Sequence, residues 1–482
     1  MKKKLVGWAI VMLSVFPLSA KVRLPAFISN NMVLQQQTST NLWGKSAAGC
    51  NVVIKTSWDN RTYTVQSDAS GNWQLKVQTP SAGGPYKITF NDGDLTVLNN
   101  VLIGEVWFCS GQSNMEMPVQ GFHRQPVAGA QDILLKASKS VPIRAFTVEK
   151  KVSAVPLDSC QGVWDEHTPQ GVARTSATAY FFARYLNEVL GIPVGLIISD
   201  WGGSKIQSWM SEQSIKPFGQ DLSHIGRPLM SGSKGNENKA CTLYNAMIAP
   251  LLPYTIRGML WYQGESNSSE PVLYEKLMPA FVQGLRRDFG QGDFPFYYVQ
   301  IAPYTYSGVE RGMSPKLREV QARLMKQIPN CGMAVTMDIG EKNCIHPAEK
   351  EKVGKRLAYW ALAKTYGRND FGYSGPVYRS MRVEDRKVYL YFDNVPEGVA
   401  PLERELDGFE VAGEDKKFYP ARAVVEAVSG LLSVCSDQVA HPVAVRYGYS
   451  DYVKGSLFDI YGLPASSFRT DNWEDKDIQK DK

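Results

Sequence analysis

The sequence predicts an α/β fold: a parallel sheet flanked by helices, with a β-sandwich-like domain before it and another after it. Three observations carry this. Between residues 99 and 373, strand-like apolar runs alternate with helical stretches, the pattern of a parallel sheet covered on both faces. Ahead of it, residues 21–98 hold short alternating segments separated by turn residues at intervals of roughly ten, as in a small sandwich. Behind it, residues 374–470 return to short β segments.

Taken in order, Met1-Lys2-Lys3-Lys4 is a positive start, residues 5–18 are apolar, and Ser19-Ala20 offers small residues for cleavage. Residues 1–20 therefore predict a secretory signal, too short for a membrane span. No later apolar run approaches the ~20 residues a span needs. In the domain 21–98 the expected strands are 51–58, 61–66, 73–77 and 86–90, parted by Asp59-Asn60, Ser70-Gly71-Asn72 and Gly83-Gly84-Pro85. In the domain 99–373 the expected strands are 101–108, 194–199, 256–262, 296–301 and 333–337, and the expected helices 177–190, 273–289, 317–328 and 348–366. The accessory β domain, 374–470, carries strand patterns at 387–392, 409–411, 432–434 and 443–447, and residues 471–482 read as a polar tail.

Composition narrows the class. With 482 residues, 44% hydrophobic and 21% charged, the chain is globular with enough apolar surface for two or three domains. Removing the leader deletes three lysines and lowers the net charge from +6 to +3, too little to argue for nucleic acid. Seven cysteines without ligand-type spacing suggest no zinc or other metal site, and no motif calls for a cofactor. In an oxidising compartment one cysteine pair is able to bridge, and the spacing does not choose it. Cys109 lies in an apolar run and reads as a buried small residue rather than a reactive thiol. The oligomeric state stays open.

Three segments carry chemistry. The run 101–108 ends in Ser110-Gly111-Gln112-Ser113-Asn114-Met115, small and polar residues that cannot extend a strand, so Ser113 falls on a turn at a strand's C-terminal edge. Ligands of open α/β sheets bind at that edge, and a serine there attacks a carbonyl when a histidine is in reach. By itself Gly-x-Ser reads more simply as a turn serine. Trp261-Tyr262-Gln263-Gly264-Glu265-Ser266-Asn267 follows a second apolar run, and Asp338 to Pro347, containing His346, follows a third. Pro347 suits the first position of the ensuing helix, which puts His346 on a loop. Trp107, Trp201, Trp209, Trp261 and Tyr262 cluster in these blocks, mostly as core, with one or two free to stack on a sugar.

Together these blocks resemble the sialate O-acetylesterase family, a branch of the SGNH hydrolases. The resemblance extends to Ser199-Asp200-Trp201-Gly202-Gly203-Ser204, Leu243 through Ile248, Ile345-His346-Pro347, Val445 through Tyr449 and Gly462-Leu463-Pro464-Ala465, and so covers nearly all of the mature chain. It implies a flavodoxin-like SGNH hydrolase core and a secreted or periplasmic serine carbohydrate O-acetylesterase. Such an enzyme works through an acetyl-serine without metal or cofactor. The first expected substrate is 9-O-acetylated sialic acid; the alternatives are xylan or xyloglucan acetyl groups, or a non-catalytic glycan-binding protein with a decayed core.

Ester hydrolysis requires a nucleophile, a base, an orienter for the base and donors for the oxyanion. Ser113 is the expected nucleophile and His346 the base. SGNH enzymes commonly place an aspartate three residues before the histidine, where this chain has Asn343. Two carboxylates stand as replacements: Glu265, which the resemblance favours, and Asp338 at the end of the strand leading to His346. The resemblance also implies oxyanion donors at the backbone N–H groups of Ser113 and Gly203. Because Ser266 stands where the family pattern has an asparagine, the side-chain donor is Gln263 or Asn267.

Overall fold

The structure is a computed structural model describing residues 21–219, 236–306, 312–402 and 404–474. The expected leader and most of the expected tail, 475–482, lie outside the described residues.

The central sheet has seven strands, numbered here in chain order: β1 (Leu95–Gly111), β2 (Ile143–Val148), β3 (Gly162–Glu166), β4 (Val194–Asp200), β5 (Gly258–Tyr262), β6 (Phe296–Val299) and β7 (Cys331–Ala334). They run in the order β7-β6-β5-β1-β4-β2-β3. All neighbours are parallel except β3, which lies antiparallel to β2 at one edge. β4 and β5 are buried along their whole length, as strands covered on both faces must be. Alternation along β1 shows the two faces. Trp107 and Cys109 pack with residues of α2 (Ala177–Leu190) and α5 (Lys350–Lys364), whereas Val106 and Phe108 pack with those of α3 (Pro271–Phe289) and α4 (Ser314–Gln327).

β1 is the hinge of the topology. Its 17 residues run from the N-terminal β region into the central sheet. The first half pairs with Gly83–Asn91 and Val33–Gln35, the second with β4 and β5. The boundary expected near residue 98 thus falls inside one continuous strand. Glu105 anchors the junction: its buried carboxylate accepts from Gln35, Gln36, Arg257 and Tyr366. The sheet grows from β1 in both directions, through β4 on one side and β5 on the other, so β1 ends at the switch point where α/β proteins bind ligands.

Beyond α5 the chain forms a five-stranded antiparallel sheet, Val377–Glu384 and Lys387–Asp393 among its strands, and a four-stranded sheet that includes Phe409–Ala412 and Ala444–Tyr447. Leu390, Val411, Val434, Val445 and Phe468 from the two sheets share one apolar cluster. Arg318 on α4 fastens this region to the core. Fully buried, it donates to the carbonyls of Gly448, Ser450 and Asp451 and to Ser467 Oγ.

Most expected elements form within a few residues of their positions, and the helix over 177–190 is matched in full. One placement differs. Pro347 precedes the helix instead of opening it; α5 begins at Lys350, while the Ala348 N–H is held by Glu341 Oε1 at 2.8 Å. Residues 346–349 are thereby kept as a loop beneath the sheet edge.

Candidate active site

Three turns meet at the C-terminal edge of the sheet, after β1, β4 and β5. Register puts Gly111 beside Asp200 on one side and beside Tyr262 on the other. The turn after β1 needs glycine at 111: φ is +150°, and a Cβ would lie 2.1 Å from Tyr262 O. Gln112 then ties the β1 turn to the β5 turn. Its N–H donates to Tyr262 O at 3.0 Å, and its Oε1 accepts from the N–H groups of Gly264 and Ser266, both at 3.2 Å. Ser113 follows as the first residue of a single-turn helix, α1 (Ser113–Glu116), and is half-buried.

The β4 turn is held against α1. Glu116 Oε2 accepts from the Gly202 N–H at 2.5 Å, and Glu116 Oε1 pairs with Lys150 at 2.6 Å. A Cβ on Gly202 would come within 3.3 Å of the Ser113 Cβ, so these glycines allow the turn to lie directly on the serine. Gly203 has φ +74°, again a glycine conformation. Among the described residues, the backbone N–H groups of Ser113 and Gly203 have no acceptor. Cys109, below this turn, is buried with its thiol pushed well up by desolvation and then by Asp200. The seven cysteines are all free.

His346 reaches the site on the loop between β7 and α5. Asn114, next to Ser113, donates from Nδ2 to the carbonyl of Ile345, next to His346, at 3.0 Å, so the two segments abut. Ser113 and His346 are not hydrogen-bonded to each other in this conformation. The imidazole is held from its other side by the 122–125 turn. Gln125 Oε1 accepts from Nδ1 at 2.6 Å, and the Phe122 ring packs edge-on with centroids 5.2 Å apart. Desolvation, then the charge of Lys350, lowers the histidine pKa to about 4 against the opposing pull of Glu116. The ring is therefore neutral at ordinary pH, with Nδ1–H committed to Gln125 and Nε2 left as the basic atom.

Neither expected orienter is hydrogen-bonded to His346. Asp338 directs both oxygens into the Arg356 guanidinium, at 2.7 and 2.8 Å, because that buried cation offers a two-pronged partner. Glu265 is buried beside the Ser113 turn, and its Oε1 accepts from Asn114 Nδ2 at 2.6 Å. Burial raises its pKa, opposed by its own backbone hydrogen bond, by Asn114 and by Lys350. The amides of Gln263 and Asn267 are likewise engaged. Gln263 Nε2 donates to Ser204 O and Asn267 Oδ1, and Asn267 Nδ2 donates to Gln207 Oε1. Both brace the segment after Gly203 and offer no free N–H in this conformation. Of the five clustered aromatics, Trp107, Trp209, Trp261 and Tyr262 are fully buried; Trp201 alone is partly open, with Lys150 over its ring at 5.6 Å.

Sequence reasoning passed over Gln125, Asn114, Glu116 and Lys350. Asn114 and Glu116 sit inside the serine block and were visible as polar residues in a motif. Gln125 and Lys350 carry no local mark, being a loop glutamine and a lysine at a helix start.

A central parallel sheet with a serine turn at its switch point and a neutral histidine beside it defines an ester hydrolase of the α/β class. Residues 103–363 match the family described as carbohydrate esterase, sialic acid-specific acetylesterase. The chain is 30% identical to the sialate O-acetylesterase of Pongo abelii over 490 residues, covering 92% of each protein. It is 28% identical to the rat sialate O-acetylesterase, over 92% of this chain and 94% of the relative. A crystal structure of a carbohydrate acetylesterase from Xanthomonas citri superposes with TM-score 0.84 at 33% identity, covering 94% of this chain and all of that one. The chain belongs to the sialic acid-specific acetylesterase family of carbohydrate esterases.

Proposed function

We propose that the protein is an exported serine O-acetylesterase that removes acetyl groups from sialic acid, the 9-O-acetyl ester above all. In this reading Ser113 Oγ attacks the ester carbonyl while His346 Nε2 takes its proton. The N–H groups of Ser113 and Gly203 receive the oxyanion. The tetrahedral intermediate collapses to acetyl-Ser113, and the imidazolium returns its proton to the departing sugar oxygen. Water, deprotonated by the same nitrogen, then attacks the acetyl carbonyl and releases acetate and free serine. The observation that carries the reading is the direct bond between Asn114 and Ile345, which sets the serine turn against the histidine loop beside two acceptor-free N–H groups.

A carboxylate-bearing sugar suits the rim. Arg124 stands at the tip of the turn that holds His346, exposed and in no ion pair among the described residues. Trp201 presents a partly open ring next to Lys150. Export rests on the charged and apolar pattern of residues 1–20; in the described part no helix is long and apolar enough to cross a membrane.

The test is acetate release from 9-O-acetylated sialic acid, acetylated xylan and acetylated xyloglucan by the wild type, Ser113→Ala and Arg124→Ala. Ser113→Ala is expected to be inactive on every substrate. Arg124→Ala is expected to raise KM several-fold for the sialate alone. Activity confined to the neutral polysaccharides refutes the substrate, and an active Ser113→Ala refutes the mechanism.

A further inference from the structure

Lys350 occupies a place where a lysine is disfavoured on two counts. It is fully buried, which penalises an ammonium, and it is the first residue of α5, where the helix dipole repels a cation. Fully buried lysines are rare unless paired. The Nζ donates to Asn114 Oδ1 and lies 5.5 Å from the centre of the Tyr262 ring. The other end of the same amide donates to Glu265 Oε1 and to the Ile345 carbonyl. One asparagine thus has its C=O toward a cation and its N–H toward an anion, an arrangement aligned with both charges. The second oxygen of Glu265 is buried and has no hydrogen-bond partner among the described residues, so beyond its own backbone N–H the carboxylate is held by Asn114.

We propose that Lys350 is a positioning residue: paired with Glu265 across the Asn114 amide, it fixes the turn bearing Ser113 against the loop bearing His346. The proposal rests on the reading of those two residues as nucleophile and base. Asn114 directly follows the serine and Ile345 directly precedes the histidine, so an amide left without its lysine keeps only its two N–H bonds at the joint that registers them, and its orientation there is less tightly fixed. Misplacement by about 1 Å costs on the order of 100-fold in rate. The groups facing Lys350 are Glu265 and Tyr262 from the β5 edge and Glu341 and Cys344 from the preceding loop; Glu116 faces His346 from α1. Burial lowers Lys350 to about 7 against the pull of Glu265, and the lysine charge in turn depresses His346.

The test uses Lys350→Met and the double variant Glu265→Gln/Lys350→Met, which removes both buried charges together. Both are assayed per folded molecule on a chromogenic acetate ester, with Ser113→Ala as control. Lys350→Met is expected to lose about 10- to 100-fold in kcat with KM within twofold, and its acid limb moves to higher pH because a cation near His346 is gone. The double variant is expected to lose no more than Lys350→Met, since the pair acts as one unit. Wild-type kcat and an unmoved acid limb in either folded variant overturn the proposal. So does failure of both variants to fold, which would make the pair a device of stability alone. An active Ser113→Ala would instead reject the underlying mechanism, whereas an inactive Ser113→Ala beside a normal Lys350→Met rejects only the role of Lys350.

Discussion

Gln125→Ala removes the one hydrogen bond made to the His346 ring among the described residues, and the structure sets how much that loss should cost. The partner is a neutral amide at 2.6 Å from Nδ1, and Phe122 still packs on the ring after truncation. A net hydrogen bond of this kind contributes about 0.5–1.5 kcal/mol, or about 2- to 13-fold in rate. Loss of a carboxylate orienter in a Ser-His-Asp triad costs about 10⁴-fold. Those ranges do not overlap, so kcat/KM on a chromogenic acetate ester distinguishes them. Gln125→Glu probes the same contact from the other direction. A carboxylate against Nδ1 favours the imidazolium, so the acid limb should rise above the wild-type position. Gln125→Ala within twofold of wild type, together with an unmoved limb in Gln125→Glu, would refute the assignment of Gln125 as the group that orients His346.

Other expectations follow from the same geometry. With His346 lowered to about 4, the kcat/KM profile should hold its plateau well below pH 6 and fall as pH drops through about 4. Because the folded pKa lies below the unfolded one, the unfolded chain takes up this proton first, so stability should decline on acidification between about 6.5 and about 4. A plateau ending near 6.5 would show that burial does not govern the ring. Asp338→Asn breaks a buried ion pair with Arg356 and should cost about 3–5 kcal/mol in denaturant unfolding, yet leave kcat/KM per folded molecule within about threefold. A severe kinetic defect there would restore Asp338 as an orienter. Arg318→Met leaves the Ser450 carbonyl without a donor, at about 1–3 kcal/mol, whereas the Gly448 and Asp451 carbonyls keep Ser467 Oγ and the Tyr304 N–H. A fall of about 1–3 kcal/mol is expected, measured by thermal or denaturant unfolding, and unchanged stability would contradict its anchoring role.

The sequence by itself determined the α/β core, the β regions around it and the three strand edges that carry Ser113, Glu265 and His346. Apolar periodicity reports which face of an element is buried, and glycines report where a turn must pass close to another backbone, as at Gly111 and Gly202. Both are local properties, so they survive in a linear reading. What the tertiary structure decided is which polar group meets which. Gln125 holds a histidine 221 residues away, and Lys350 bonds an asparagine 236 residues earlier; neither has a spacing that announces it. Asp338, adjacent in sequence to the histidine loop, goes to Arg356 instead, because α5 brings a buried guanidinium against it. The continuous strand across residue 98 was hidden for a similar reason. Turn signals mark where hydrogen-bonded pairing changes partners only when the chain also changes direction, and β1 changes partners without turning.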